Sequence, residues 1–123
     1  MADLHMGLLE SRFAEIVWEE EPVTTSRLVI LAEETFGWKR TTTHTVIKRL
    51  CQKGLFENRS GTVRSLLSKD EYYAIQSTSF VNETFGGSLP SFVASFIRGK
   101  GLDPEEAAIL KKMIEDLEKT DSK

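Results

Sequence analysis

Apolar residues recur at helical spacing along most of this chain, and one short stretch breaks the period. Leu9, Phe13, Ile16 and Val17 predict a helix over residues 8–20, ended by Pro22. Thr24 or Thr25 can cap a second helix, which carries Leu28, Leu31 and Ala32 and stops near Gly37. A third helix is expected over 38–53. Val46, Ile47, Leu50 and Cys51 share one of its sides, and Gly54 stands at a natural left-handed end. The period then shortens. Residues 55–59 and 62–67 read as two strands joined at Ser60-Gly61 in a hairpin.

Residues 69–123 return to helix with a different character. Tyr72, Ile75, Phe80 and Phe85 mark one segment, interrupted at Gly86-Gly87. Leu89, Phe92, Val93, Phe96 and Ile97 mark a second. Asp103-Pro104-Glu105-Glu106 opens a third, with Asp103 as N-cap, Pro104 at the first helical position and Glu106 closing a capping box. Leu110, Met113, Ile114 and Leu117 form its apolar stripe. Three short amphipathic helices hold too little mass to enclose a core of their own. They either bury these faces against a second copy or fold back on the first part of the chain, and the first reading is adopted.

Three helices followed by a β-hairpin is the winged helix-turn-helix order, in which the third helix enters the major groove and the hairpin lies along the backbone. The expected architecture is mainly α. A winged helix-turn-helix of three helices and a small β-hairpin occupies residues 1–68, and a helical dimerisation domain occupies 69–123.

A net charge of −3 is unpromising for a nucleic-acid binder until it is resolved along the chain. Residues 1–37 carry −6, residues 38–64 carry +6, and the rest is mildly acidic. A local patch acts on phosphate at Debye-length distances, so the concentration of charge matters more than its total. No apolar run approaches the roughly 18 residues of a membrane span, and the start lacks a secretory signal. Together with a single cysteine, Cys51, this points to a reducing cytoplasm and no membrane insertion. It also excludes an internal disulfide or a multi-cysteine metal site.

On the third helix Arg40, Thr41, Thr42, His44, Thr45, Lys48 and Arg49 crowd the sides away from the apolar stripe. Four threonines weaken a helix, but short hydroxyls and long cations suit a DNA surface. They donate to phosphate oxygens and can reach base edges. An ordinary amphipathic helix with a basic outer face fits this stretch equally well when it is read alone. Thr42 and Thr45 are assigned base-edge or phosphate contacts and Arg49 mainly phosphate. Lys39, Arg40 and Lys48 read equally as phosphate anchors or as solvated charges, and Arg64 is assigned a phosphate contact from the hairpin. Double-stranded DNA is therefore the expected partner.

In order and spacing, these segments resemble the penicillinase-repressor family of bacterial transcriptional regulators. The likeness rests on Ile16-Val17-Trp18; on Trp38 with Thr42, Thr45, Arg49-Leu50 and Lys53-Gly54; and on Ser79-Phe80-Val81-Asn82 with Gly87-Ser88-Leu89. Val93 and Phe96-Ile97 continue it. The resemblance implies a homodimeric repressor on a palindromic operator. Its dimer interface would draw on Phe80, Phe85, Leu89, Phe92, Val93, Phe96, Ile97, Leu110, Ile114 and Leu117.

In the antibiotic-resistance members of that family, a regulatory protease acts between an Asn and a Phe. The corresponding bond here is Ser95-Phe96, with Ser in place of Asn. The copper-responsive members carry a cysteine-rich motif that this chain lacks, so no metal or cofactor is expected. The hairpin departs from the family's aromatic-rich wing. Lys39, Arg40, Thr43 and His44 are where this chain is expected to read its own operator.

Other residues receive plainer readings. His44 can donate to DNA or stand neutral on the surface. Cys51 reads as a buried small hydrophobe rather than a redox sensor. Trp18 and Trp38 read as packing groups, Glu19-Glu20-Glu21 as a solvated acidic helix end, and His5 as part of a disordered start. No nucleophile, base and orienting group assemble, so the chain is not read as an enzyme. The competing function is a protein-interaction module built on the winged helix.

Overall fold

The computed structural model describes residues 5–121. It contains α1 (Leu8–Glu20), β1 (Val23–Thr24), α2 (Thr25–Phe36), α3 (Arg40–Gln52), β2 (Phe56–Arg59), β3 (Thr62–Ser65), α4 (Lys69–Thr84), α5 (Leu89–Gly99) and α6 (Pro104–Asp121). The three strands form one antiparallel sheet in the order β1-β3-β2. This is a winged helix followed by a helical region, as the pattern predicts.

Local chemistry sets the boundaries. Thr24 caps α2 by accepting the Arg27 backbone N–H at 3.1 Å, and Gly37 ends it at φ 71°. The α3 helix begins at Arg40, two residues later than the apolar spacing suggests. Trp38 is spent closing α2, its N–H reaching the Ala32 carbonyl at 3.4 Å. Ser60 (φ 52°) and Gly61 (φ 90°) supply the two left-handed residues that a two-residue hairpin needs. The Asn58 side chain accepts the Gly61 N–H at 2.9 Å.

Both hairpin strands are shorter than expected, and β1 was not anticipated at all. Two residues are too few to show a period. Its presence follows from pairing, with Val23 opposite Val63 and Thr24 opposite Thr62.

The chain divides into two compact units, and the division between Ser79 and Phe80 falls inside α4. In the first unit Phe13, Ala14 and Val17 of α1 meet Leu28 and Ala32 of α2. Val46, Ile47 and Leu50 of α3 join them, as do Leu55, Phe56 and Val63 of the hairpin region. Each large side chain so buried contributes roughly 1.5–3 kcal/mol before entropy is counted.

Trp18 and Trp38 are packing groups, as expected. Trp38 lies 5.5 Å from Phe13 and 4.7 Å from Phe36 between ring centres. Trp18 packs at a tilt against Phe56 and Tyr72, and its Nε1–H donates to the Leu67 carbonyl at 2.9 Å.

Two polar expectations change. Glu21 is not a solvated helix end. It is half-buried and its carboxylate takes both the Ser65 N–H (2.7 Å) and the Ser65 hydroxyl (2.9 Å), tying α1 to the hairpin. Nor is residue 5 adrift, because Lys53 donates to the His5 carbonyl and Met6 is buried in the core.

In the second unit Phe80, Phe85, Phe92 and Phe96 form a chain of rings with centres 5.5–6.3 Å apart. Ser88 caps α5 through the Ser91 N–H at 3.1 Å, and Asp103 caps α6 through the Glu106 N–H at 2.8 Å. Among the described residues from Phe80 onward, none is buried.

Candidate nucleic-acid interface

The buried residues of α3, namely Thr43, Val46, Ile47 and Leu50, fix which way the helix faces. At 3.6 residues per turn, Thr41, Thr45, Lys48 and Gln52 then form the outermost stripe. Thr42 and Arg49 flank it on one side, Arg40 and His44 on the other. All eight are exposed. The structure thus places Lys39, Arg40, Thr41, Thr42, His44, Thr45, Lys48 and Arg49 on one contiguous outer surface.

Thr43 does not belong there. It is fully buried, and its hydroxyl donates to the Lys39 carbonyl at 3.3 Å. Its position in line with the other buried residues, three before Val46 and four before Ile47, was the available signal. It serves the core and is withdrawn as an operator-reading residue.

The hydroxyls are not equally free. Thr45 Oγ1 donates to the Thr41 carbonyl at 2.9 Å, so it offers an incoming group its lone pairs and its methyl rather than its proton. Arg49 is half-exposed, and its Nη1 lies 3.3 Å from Glu10 Oε2 at the start of α1. Lys53 reaches the same carboxylate at 3.5 Å and is largely covered.

Partial desolvation pushes Glu10 upward. The Arg49 hydrogen bond, the Lys53 charge and the Gly7 N–H together outweigh this and hold its carboxyl below the ordinary carboxylate range.

Strand register sorts the hairpin into two faces. Phe56, Asn58, Val63 and Ser65 share the inner one, while Glu57, Arg59, Thr62 and Arg64 share the outer one. Arg64 is exposed there, opposite Glu57. Arg59 is also exposed, and its Nε lies 2.7 Å from Glu57. Arg59 and Gln52 join this surface in addition to the residues expected from the sequence. The alternation of the hairpin and the α3 stripe were the signals that could have found them. The hairpin tip is held from behind by the Thr25 N–H, which donates to the Gly61 carbonyl at 2.8 Å.

Cys51 is half-buried rather than buried. Desolvation and then the Glu57 charge push its thiol up, favouring the less reactive protonated form. Among the described residues no cluster of three or more His, Cys, Asp or Glu side chains is disposed to hold a metal. Nor, among the described residues, is any helix long and apolar enough to cross a membrane.

In the second unit Phe80, Leu89, Val93, Phe96, Ile97, Leu110, Ile114 and Leu117 are exposed, and Phe85 and Phe92 are half-covered. Ile109 and Met113 widen this surface. Ser95 is exposed in the middle of α5, and the bond to Phe96 lies within that helix.

The penicillinase repressor family model matches residues 6–116 of this chain. The chain is similar to the penicillinase repressor of Bacillus licheniformis, at 25% identity over 111 residues that cover 87% of each protein. It is also similar to the penicillinase repressor of Staphylococcus aureus, at 22% identity over 120 residues, 94% of this chain and 95% of the relative.

Proposed function

The chain belongs to the penicillinase repressor family, and on that premise we propose that it is a cytoplasmic transcriptional repressor that binds a palindromic operator as a homodimer. One observation carries the reading. Six of the seven cations in the +6 stretch, Lys39, Arg40, Lys48, Arg49, Arg59 and Arg64, are exposed at the start and outer side of α3 and on the outer face of the hairpin.

Residues 1–68 read the DNA. Thr41, Thr42, Thr45 and His44 face base edges or phosphate. Lys39, Arg40, Lys48, Arg49 and Arg64 neutralise phosphate, as does Arg59 on the wing. Residues 69–123 join two copies through their apolar helical faces, setting two recognition helices about one DNA turn, or a multiple of it, apart.

A role as a protein-docking module has less support, because the exposed side of α3 carries no large apolar residue. Release by a regulatory protease at Ser95-Phe96 would divide the apolar stripe of α5 and detach α6. The bond lies inside a helix, so α5 must unwind before a protease can take it.

The test is fluorescence anisotropy with a palindromic duplex taken from the DNA upstream of the gene, run across a salt series. Affinity is expected to fall linearly on logarithmic axes as salt rises, with a slope near −0.9 per phosphate neutralised. No measurable binding at low salt, or binding indifferent to salt, refutes the reading.

A further inference from the structure

Arg49 differs from the other cations on the exposed side of α3. Among the described residues, Lys39, Arg40 and Lys48 have no carboxylate within 4.0 Å, whereas Arg49 has Glu10 at 3.3 Å. Glu10 is itself unusual for a surface carboxylate, with its side chain only 16% exposed. Both of its oxygens are used. Oε2 meets Arg49, while Oε1 meets Lys53 at 3.5 Å and the Gly7 N–H at 3.5 Å. Lys53 in turn donates to the His5 carbonyl. One covered carboxylate therefore links the first turn of α1, the preceding residues and the far end of α3.

We propose that Glu10 is a positioning residue for DNA binding: it holds the Arg49 guanidinium in place so that the remaining donors meet operator phosphate. The inference rests on the reading of α3 as the recognition helix.

Three physical arguments support it. An arginine side chain carries about 2 kcal/mol of rotamer entropy, and a partner that restricts it beforehand removes part of that cost from binding. A guanidinium has five N–H donors in a rigid fork. Glu10 engages Nη1, which leaves the other edge of the half-exposed group for an incoming oxygen. The carboxylate lies on the protein side and is shared by two cations, so the local charge facing DNA remains positive. Repulsion of phosphate by Glu10 is thereby limited.

The experiment is a double-mutant cycle in the full-length protein, using the same duplex and salt series. Glu10→Gln keeps the shape and removes the charge. It is expected to weaken operator binding roughly three- to tenfold, with the melting temperature within roughly 5 °C of the parent. Arg49→Ala is expected to weaken binding and to lower the salt slope by about one. In the Arg49→Ala background, Glu10→Gln should do nothing further, and Glu10→Asp should restore part of the loss in the parent background.

If Glu10→Gln binds as well as or better than the parent, the carboxylate does not position Arg49 and the proposal is overturned. Equal losses from Glu10→Gln with and without Arg49 would assign the effect to general structure and overturn it too. Failure of the parent protein itself to bind the duplex is a separate result, and it removes the recognition-helix reading instead.

Discussion

The two units of this chain treat their apolar residues in opposite ways. In the first, fourteen apolar side chains among the described residues, from Met6 to Tyr72, are buried, and helices, strands and N-terminal residues all contribute to one core. In the second, no described residue is buried, and large groups stand open along both main helices. Ile109 is 61% exposed and Leu117 62%. Composition does not explain the contrast, since the second unit is rich in Phe, Leu, Ile and Val. Geometry does. Three helices and a hairpin enclose a volume, whereas a few helical turns, α5 and α6 leave their stripes facing outward. The first unit encloses its apolar residues within one chain, whereas the second leaves them open, and large exposed apolar patches commonly mark association sites.

The most direct way to break this contrast is to charge the open faces. Val93→Glu combined with Ile114→Glu is expected to turn a dimer into a monomer, as read by sedimentation equilibrium. Operator affinity should fall by at least about a hundredfold, because the second half-site loses its effective concentration. The first unit should melt as before. A dimer that survives both charges would place the interface elsewhere.

A matched pair of truncations sharpens the contrast from the other side. Phe13 is fully buried and Phe96 is 42% exposed. Phe13→Ala should cost about 3–5 kcal/mol in the urea unfolding of the first unit, through lost burial and the cavity left behind. Phe96→Ala should move that transition by less than about 0.5 kcal/mol, as a surface substitution does, while weakening association. Similar costs in the same transition would mean that the two units do not unfold as separate structures.

The same contrast explains what could be read from the sequence. Helix positions, caps and the hairpin turn are local. Thr24, Gly37, Ser60-Gly61 and Asp103 announce them by residue type, and they were found within a few positions. The outer surface of α3 was legible because it is the complement of a periodic apolar stripe. What stayed hidden depends on partners distant in sequence. The strand β1 exists only through Val63 and Thr62, and the half-buried Glu21 is bound by Ser65, 44 positions away. Arg49 meets Glu10 across 39 positions. Thr43 is the instructive exception, since its inward position was implied by periodicity but its residue type suggested a DNA contact.

The smallest effect concerns charge in the first unit. The Glu10 carboxyl is raised by desolvation, but Arg49, Lys53 and the Gly7 N–H outweigh this and hold it below the ordinary range. Glu71 is likewise lowered, by the backbone N–H and the hydroxyl of Ser68. A carboxyl whose folded value is depressed contributes stability in full above its unfolded value, and loses that contribution as pH falls through the folded one. Parent protein and Glu10→Gln should therefore differ at neutral pH by less than about 1 kcal/mol, as expected for a partly exposed pair. The difference should close as the solution is taken below the ordinary carboxylate range, where the parent carboxyl also becomes neutral. Paired melting curves from pH 7 downward measure it. A difference that widened in acid would mean the Glu10 links stabilise the protonated carboxyl, contrary to the two cations at 3.3 and 3.5 Å.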